Sequence, residues 1–234
     1  MARNNYFQFK QFRIEQGRCA MKVTADAVLF GAIVDVESSH RILDIGAGTG
    51  LLSLMAAQRS TAFIDAVEMD QEAISQCQEN FSQSLWSDRL NAIHSSIQSY
   101  AAESYDTIIC NPPFFENSLK APDQQRSQAR HTDSLSFEEL ARDIKRLMIP
   151  EGKAWLLLPV IESESFLRQA KHHNLKLSRC ISIRTSPARA AHRNILVLDL
   201  VSEECQEEEI FLFKEGQQYS ELSYQFLQPY YLAL

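Results

Sequence analysis

At 234 residues, 45% of them hydrophobic and 23% charged, the chain is long enough for one α/β domain with a full core, and its bulk composition is that of an ordinary globular protein. A formal net charge of −7 argues against a protein that coats nucleic acid indiscriminately, and no window reaches the roughly 18 uninterrupted apolar residues of a membrane span. Five cysteines without a C-x-x-C pair suggest neither a disulfide framework nor a metal site and read as reduced thiols; a cytoplasmic, monomeric protein is expected.

The charge is unevenly placed. Residues 1–24 carry Arg3, Lys10, Arg13, Arg18 and Lys22 against Glu15, and residues 165–193 carry seven cations and no acid. Two basic tracts on an acidic body can form a local anion-binding face, so Lys10, Arg13, Lys22, Arg184, Arg189 and Arg193 are candidates for contacts to an anionic partner such as a nucleic-acid backbone.

In chain order, Tyr6 to Ile14 nearly alternates apolar and polar positions, as a half-buried strand does, and Arg18 to Val23 is expected to return as its hairpin partner after the turn Glu15-Gln16-Gly17. Thr24 is a candidate N-cap for a helix whose Val28, Leu29, Ala32, Ile33 and Val36 share a face. An apolar strand, Arg41 to Ile45, then runs into Gly46-Ala47-Gly48-Thr49-Gly50 and a helix from Leu51 to Gln58. Glycines at alternate positions let the backbone turn sharply and approach a ligand where a Cβ would collide. This loop departs from the G-x-G-x-x-G spacing of dinucleotide folds and is preceded by Asp44, which repels a pyrophosphate and suits a ligand carrying an ammonium and a sulfonium.

Phe63 to Glu68 reads as the next strand, ending in an acid placed to accept from both hydroxyls of a ribose; Asp70 suits the N-cap of a helix over Gln71 to Leu85, with Ile74, Cys77, Phe81 and Leu85 inward. Leu90 to His94 is the third strand of the core, and Tyr105 to Cys110 the fourth, delivering Asn111-Pro112-Pro113-Phe114 at its carboxyl end. In an open parallel sheet the loops after its first and fourth strands meet at the switch point, so this segment should face the glycine loop. The prolines have no amide protons, and their fixed φ angles make the segment a rigid acceptor site. An exocyclic amine on a nucleobase is a weak nucleophile; accepting its two protons at the Asn111 oxygen and the Pro112 carbonyl would aim its lone pair, while Phe114 stacks on the base.

Glu116 to Ser134 is a polar stretch with Lys120, Arg126, Arg130 and His131, expected as a mobile substrate loop. Ser136 opens a capping box with Glu139 before a helix to about Met148, with Leu140, Ile144 and Leu147 inward. Strands over 152–158, 175–183 and 194–200 and a helix over 162–172 follow, giving a seven-stranded sheet, and the tail adds an acidic run, a short strand near Ile210 to Phe213 and a helix. The chain is expected to be one domain over 1–234, with a hairpin at 1–24, a core at 25–200 and an extension at 201–234.

The glycine loop after Asp44, Glu68 and Asn111-Pro112-Pro113-Phe114 together resemble the amino-group methyltransferases that use S-adenosylmethionine (AdoMet). Phe9-Lys10-Gln11-Phe12, Cys19-Ala20-Met21-Lys22-Val23-Thr24-x-Asp26 and Tyr219-Ser220-x-Leu222 extend the resemblance to the bacterial tRNA1(Val) (adenine(37)-N6)-methyltransferase family over nearly the whole chain. The resemblance implies a Rossmann-like class I methyltransferase fold, α/β with a mostly parallel sheet between helices and an N-terminal β-hairpin. It implies AdoMet as cofactor and tRNA as partner, the catalytic group Asn111, Pro112, Pro113 and Phe114, and cofactor contacts from Asp44, Gly46, Gly48, Gly50, Glu68, Met69, Ser96 and Asn111. Two positions depart from the family pattern: Phe114 stands where Tyr is frequent, and Ser96 where an Asp commonly holds the cofactor's adenine. The same motif also serves ribosomal RNA guanine-N2 and release-factor glutamine methyltransferases, because all these acceptors are planar amino groups. A non-catalytic AdoMet-sensing or RNA-binding module is the alternative outside enzymes, and the intact loop and Asn111 motif argue against it.

Overall fold

The computed structural model describes residues 4–19, 21–102, 104–112, 135–214 and 218–234. Its centre is an eight-stranded sheet built from β3 (Arg41–Ile45), β4 (Phe63–Glu68), β5 (Leu90–His94), β6 (Tyr105–Cys110), β7 (Met148–Pro159), β8 (Lys176–Arg184), β9 (Ala191–Asp199) and β10 (Gln206–Phe211), in the order β10-β8-β9-β7-β6-β3-β4-β5. All neighbours are parallel except β9, which runs against both β7 and β8. The central strands are mostly apolar because helices cover both faces, and their residues divide by the period-two rule. Ile42, Ile109, Trp155, Leu157, Ile195 and Val197 face one core, with α1 (Ala25–Ile33) and α2 (Leu51–Arg59); Leu43, Ile108, Leu156, Leu196 and Leu198 face the other, with α4 (Phe137–Leu147) and α5 (Val160–His172).

After β3 the chain builds outward through β4 and β5, then crosses back to lay β6 on the other side of β3, with Ile45 beside Cys110. This is the switch point of a doubly wound sheet. It brings the segments after β3 and β6 out side by side at the carboxyl edge.

Helix starts follow the capping residues visible in the sequence. Thr24 accepts from the Ala27 amide, Asp70 from the Ala73 amide at the head of α3 (Gln71–Ser82), and Ser136 and Glu139 form a reciprocal box before α4. Helix α3 stops at Ser82, so Leu85 lies beyond it and is 77% exposed instead of inward.

The N-terminal hairpin is shorter than expected, pairing β1 (Tyr6–Gln8) with β2 (Arg13–Glu15). Its turn falls inside the expected first strand. Apolar positions 7 and 9 are out of step with 12 and 14, and the chain reverses where the parity breaks: the Phe9 amide donates to the Phe12 carbonyl, and the two rings stack 4.6 Å apart inside the core. Described residues of Arg18 to Val23 form no strand. This segment crosses the glycine loop instead, fastened by Gln76 to the Arg18 amide and by the buried Gln16 to the Val23 amide.

Two further departures concern β7 and the sheet edge. Strand β7 begins at Met148 and accommodates Pro150 where its register on β6 shifts between Tyr105 and Thr107, since a proline breaks an even ladder and is taken up in an irregularity. The eighth strand, β10, occupies most of the acidic run and pairs in parallel with β8.

Candidate active site

All three loop glycines have left-handed backbone, with φ of 68° at Gly46, 55° at Gly48 and 81° at Gly50, a region that L side chains rarely adopt. Their surroundings differ. A Cβ on Gly50 would lie 2.5 Å from the Phe81 ring and 2.8 Å from Cys77 Sγ, so this glycine lets α2 start against α3. A Cβ on Gly46 would meet nothing within 4 Å among the described residues, which leaves that side of the loop open to a ligand as far as they extend. Cys19 lies across Gly48, 3.6 Å from where its Cβ would stand, so the segment before α1 closes over the loop.

Asp44 is 1% exposed. Its Oδ2 accepts from the Ser53 amide (3.1 Å) and hydroxyl (2.7 Å), whereas Oδ1 is buried without a hydrogen-bond partner among the described residues. Burial pushes its carboxyl up to about 7, against the opposing hydrogen bonds from Ser53 and with some help from the nearby Glu68 charge. A buried acceptor of this kind asks for a cation or donor to complete it.

Glu68 ends β4 and fastens two loops together. Its Oε2 accepts the Gly48 amide at 3.0 Å and its Oε1 the Asp70 amide at 2.9 Å. The carboxylate therefore shapes the glycine loop and keeps lone pairs for a ribose. Beside it Met69 is 49% exposed, an apolar side chain available to a ring. Ser96 sits after β5, where its hydroxyl donates to Ser99 Oγ (3.1 Å) and accepts the Ser99 amide (3.3 Å). That turn is held from below by Arg146, which donates to the Ile97 and Tyr100 carbonyls and is itself held by the buried Asp143.

Asn111 and Pro112 follow β6 directly. Asn111 Oδ1 is buried and has no hydrogen-bond partner among the described residues, so the second loop also presents an unsatisfied acceptor at the carboxyl edge. Pro113, Phe114 and the expected substrate loop 116–134 lie outside the described residues. Cys110, one residue back, is fully buried and its thiol is pushed well up by burial, an inert packing group.

The basic residues do not gather on one rim. Lys10 donates through its amide to the Tyr230 carbonyl (2.8 Å) and through its ammonium to the Gln228 carbonyl (2.6 Å), in a segment that also accepts from Gln58 in the last turn of α2. Helix α2 starts at the carboxyl edge and runs away from it, so Lys10 is at the amino edge, remote from Asn111. Arg13 pairs with Glu15 at 2.6 Å and covers the Tyr6 ring, and Lys22 donates to the Asn4 carbonyl. Arg184, Arg189 and Arg193 do belong to the carboxyl edge, because β8 ends and β9 begins there. Two of them are matched by acids: Arg184 pairs with Glu209 on β10 at 2.8 Å, and Arg193 Nε donates to Asp26 Oδ2 at 3.1 Å. Arg179 likewise donates to both oxygens of Glu208. Of the tract's seven cations, Arg179 and Arg184 are thus matched by the acidic run and Arg193 by Asp26, while Arg189 stays exposed in the loop.

Residues 20–130 match the family model "MTS: Methyltransferase small domain". The chain is 50% identical over 198 residues to the tRNA1(Val) (adenine(37)-N6)-methyltransferase of Dyadobacter fermentans, covering 84% of this chain and 82% of that one. It is 42% identical to the enzyme of that name from Shewanella loihica, over 97% of this chain and 99% of that one, and 40% identical to that of Bacteroides fragilis, over 98% of each. Among solved structures it is similar to a predicted O-methyltransferase from Agrobacterium tumefaciens (TM-score 0.69, 17% identity, 87% and 96% coverage). A ribosomal protein L11 methylase from Lactobacillus delbrueckii is similar with a TM-score of 0.55, 12% identity, and 80% and 83% coverage. At these identities the solved structures show the fold, that of class I methyltransferases.

Proposed function

This chain belongs to the tRNA1(Val) (adenine(37)-N6)-methyltransferase family, and we infer that it transfers the methyl group of AdoMet to the exocyclic N6 of an adenosine in tRNA, adenosine 37 of tRNA1(Val). The observation that carries the reading is Asn111 Oδ1, buried and without a hydrogen-bond partner among the described residues, beside the loop of Asp44 and Gly46.

The residues fit AdoMet. Asp44 Oδ1 is a buried acceptor suited to the amino-acid ammonium, Gly46 leaves open space on its ligand side, and Glu68 has lone pairs for the ribose hydroxyls. When bound, AdoMet supplies an electrophilic methyl on a sulfonium. The rest of the chemistry belongs to this chain. Asn111 Oδ1 and the Pro112 carbonyl accept the two protons of the adenine N6 amine, fixing the nitrogen and favouring a pyramidal geometry that frees its lone pair. Phe114 is proposed to stack on the base once it has been turned out of the RNA loop. The methylated nitrogen is transiently cationic and strongly acidic, so its extra proton leaves to an acceptor or to water without a dedicated strong base.

The test is methyl transfer from labelled AdoMet to purified tRNA, ribosomal subunits and release factor, with mass spectrometry of tRNA nucleosides from cells with and without the protein. Labelled N6-methyladenosine in tRNA alone is the expected result. Label in guanosine or glutamine would replace the reading with one of the other amino-group substrates.

A further inference from the structure

Another buried polar atom without a hydrogen-bond partner among the described residues lies at the same edge as Asp44 Oδ1 and Asn111 Oδ1. It is Nδ1 of His192. In β9, Ala191 pairs with Arg184 of β8 and Arg193 with Ile183, so His192 is the extra residue of a β-bulge. Bulges re-aim a side chain and are common next to active sites. Here the bulge turns His192 and Arg193 to one carboxylate, although successive strand residues ordinarily face opposite ways. Asp26, in the first turn of α1, receives His192 Nε2 at 3.2 Å from each oxygen and Arg193 Nε at 3.1 Å.

A purely structural role explains little of this. Helix α1 is already capped by Thr24 and buried from Ala27 to Ile33, and partly exposed ion pairs contribute little to stability. The position explains more. Arg193 pairs with Pro159 on β7, while Cys110, just before Asn111, pairs with Leu156. The bulge is therefore two strands across from Asn111 and two residues further out, about 12 Å away by strand spacing and rise. It flanks the space in front of Asn111 at a distance comparable to the length of a nucleoside.

The chemistry then selects the ligand group. A carboxylate only accepts, so Nε2 carries the proton shared with Asp26, and in the neutral ring Nδ1 is left as an acceptor. In that form Nδ1 takes nothing from a phosphate oxygen, which has no proton to give, whereas a 2′-hydroxyl, which both donates and accepts, can pair with it. The ring is 35% exposed with Nδ1 on its covered side, so a hydroxyl that reaches Nδ1 must be seated against the ring.

We propose that the Asp26–His192 pair on the β9 bulge is a ribose-reading site, in which His192 Nδ1 accepts a hydrogen bond from a 2′-hydroxyl of the target nucleotide or its neighbour. The site rests on the RNA reading of the active centre and gives it a means of preferring RNA over DNA.

The experiment uses an anticodon stem-loop RNA carrying the target adenosine, and versions with a single 2′-deoxy sugar at the target or at either adjoining nucleotide. One deoxy position should lower kcat/KM of the wild type by roughly tenfold, the loss of one buried hydrogen bond. His192→Phe should lower kcat/KM on the all-ribose RNA by a similar factor, with AdoMet affinity unchanged, and should lose nothing further on that deoxy RNA. His192→Asn, which keeps a short polar side chain, should recover part of the discrimination. Losses that multiply overturn the proposal. So does a loss with His192→Phe that no deoxy sugar reproduces, which would mean that the ring reads a base or only supports the fold. Absence of wild-type turnover on the all-ribose RNA overturns the functional reading and this site with it, whereas turnover with multiplying losses overturns this site alone.

Discussion

The Glu68 carboxylate accepts the Gly48 amide across 3.0 Å, so the acid that ends one strand shapes the loop that follows its neighbour. Glu68→Ala should therefore remove a ribose contact and loosen the cofactor loop together, weakening AdoMet binding by about 1 to 3 kcal/mol. Glu68→Gln keeps one acceptor for Gly48 and should lose less. Calorimetric titration measures both, and wild-type affinity in Glu68→Ala would remove Glu68 from the cofactor site.

Asn111→Ala should separate chemistry from cofactor binding. Turnover is expected to fall by a factor on the order of 100 or more, because an acceptor that orients the reacting nitrogen is lost. AdoMet affinity should stay near wild type. Equal losses in both would mean that the substitution had disturbed the β6 edge instead.

The Asp44 carboxyl makes cofactor binding depend on pH. Its value in the folded chain is raised by burial to about 7 from an ordinary 3.8, so the fold favours the protonated form. The stability this group contributes to the free protein is complete below the ordinary value and is lost as pH rises through about 7. The ammonium of AdoMet favours the ionised form, so affinity should rise with pH up to and through 7, and binding below 7 should release a proton. Calorimetry at pH 6 and pH 8 in buffers of different ionisation enthalpy reads this directly. Equal affinity and no proton release would show that Asp44 does not meet the ammonium. Asp44→Asn should abolish the pH effect and raise the stability of the free protein at pH 8.

Of the basic residues at the carboxyl edge, Arg189 is the exposed one, so Arg189→Glu should raise the dissociation constant for RNA and flatten the log-log salt dependence by roughly 1 unit. Lys10→Glu, at the far end of the strands, should change neither. A filter-binding series in salt distinguishes them. An equal effect of both substitutions would place the RNA along the flank of the domain instead of across its carboxyl edge.

Much of the core was legible because its strands are short apolar runs bounded by turn residues: Arg41–Ile45, Phe63–Glu68, Leu90–His94 and Tyr105–Cys110 have the bounds the sequence suggests. The caps Thr24, Asp70 and Ser136 were legible for a local reason, since a side chain three residues from its amide leaves its mark in the sequence. What escaped was non-local or charged. The hairpin turn at Phe9 and Phe12 was written in a parity break that a nine-residue alternation conceals. Of strand β10 only the apolar end near Ile210 was legible, because its glutamate half buries little at the sheet edge. Asp26 meets His192 and Arg193 across more than 160 residues, through a bulge that only the pairing register shows.

Strand β10 also settles how the sheet ends. An open strand edge is a template on which a second copy can pair, and long apolar edges invite aggregation. Here Glu208 and Glu209 are engaged by Arg179 and Arg184, while Glu203, Glu204 and Glu207 are exposed and make no ion pair among the described residues. Two such edges brought together would oppose like charges along their length. The acidic run thereby guards this edge of the sheet against pairing with a second copy, a protection that should weaken in high salt, where this repulsion is screened.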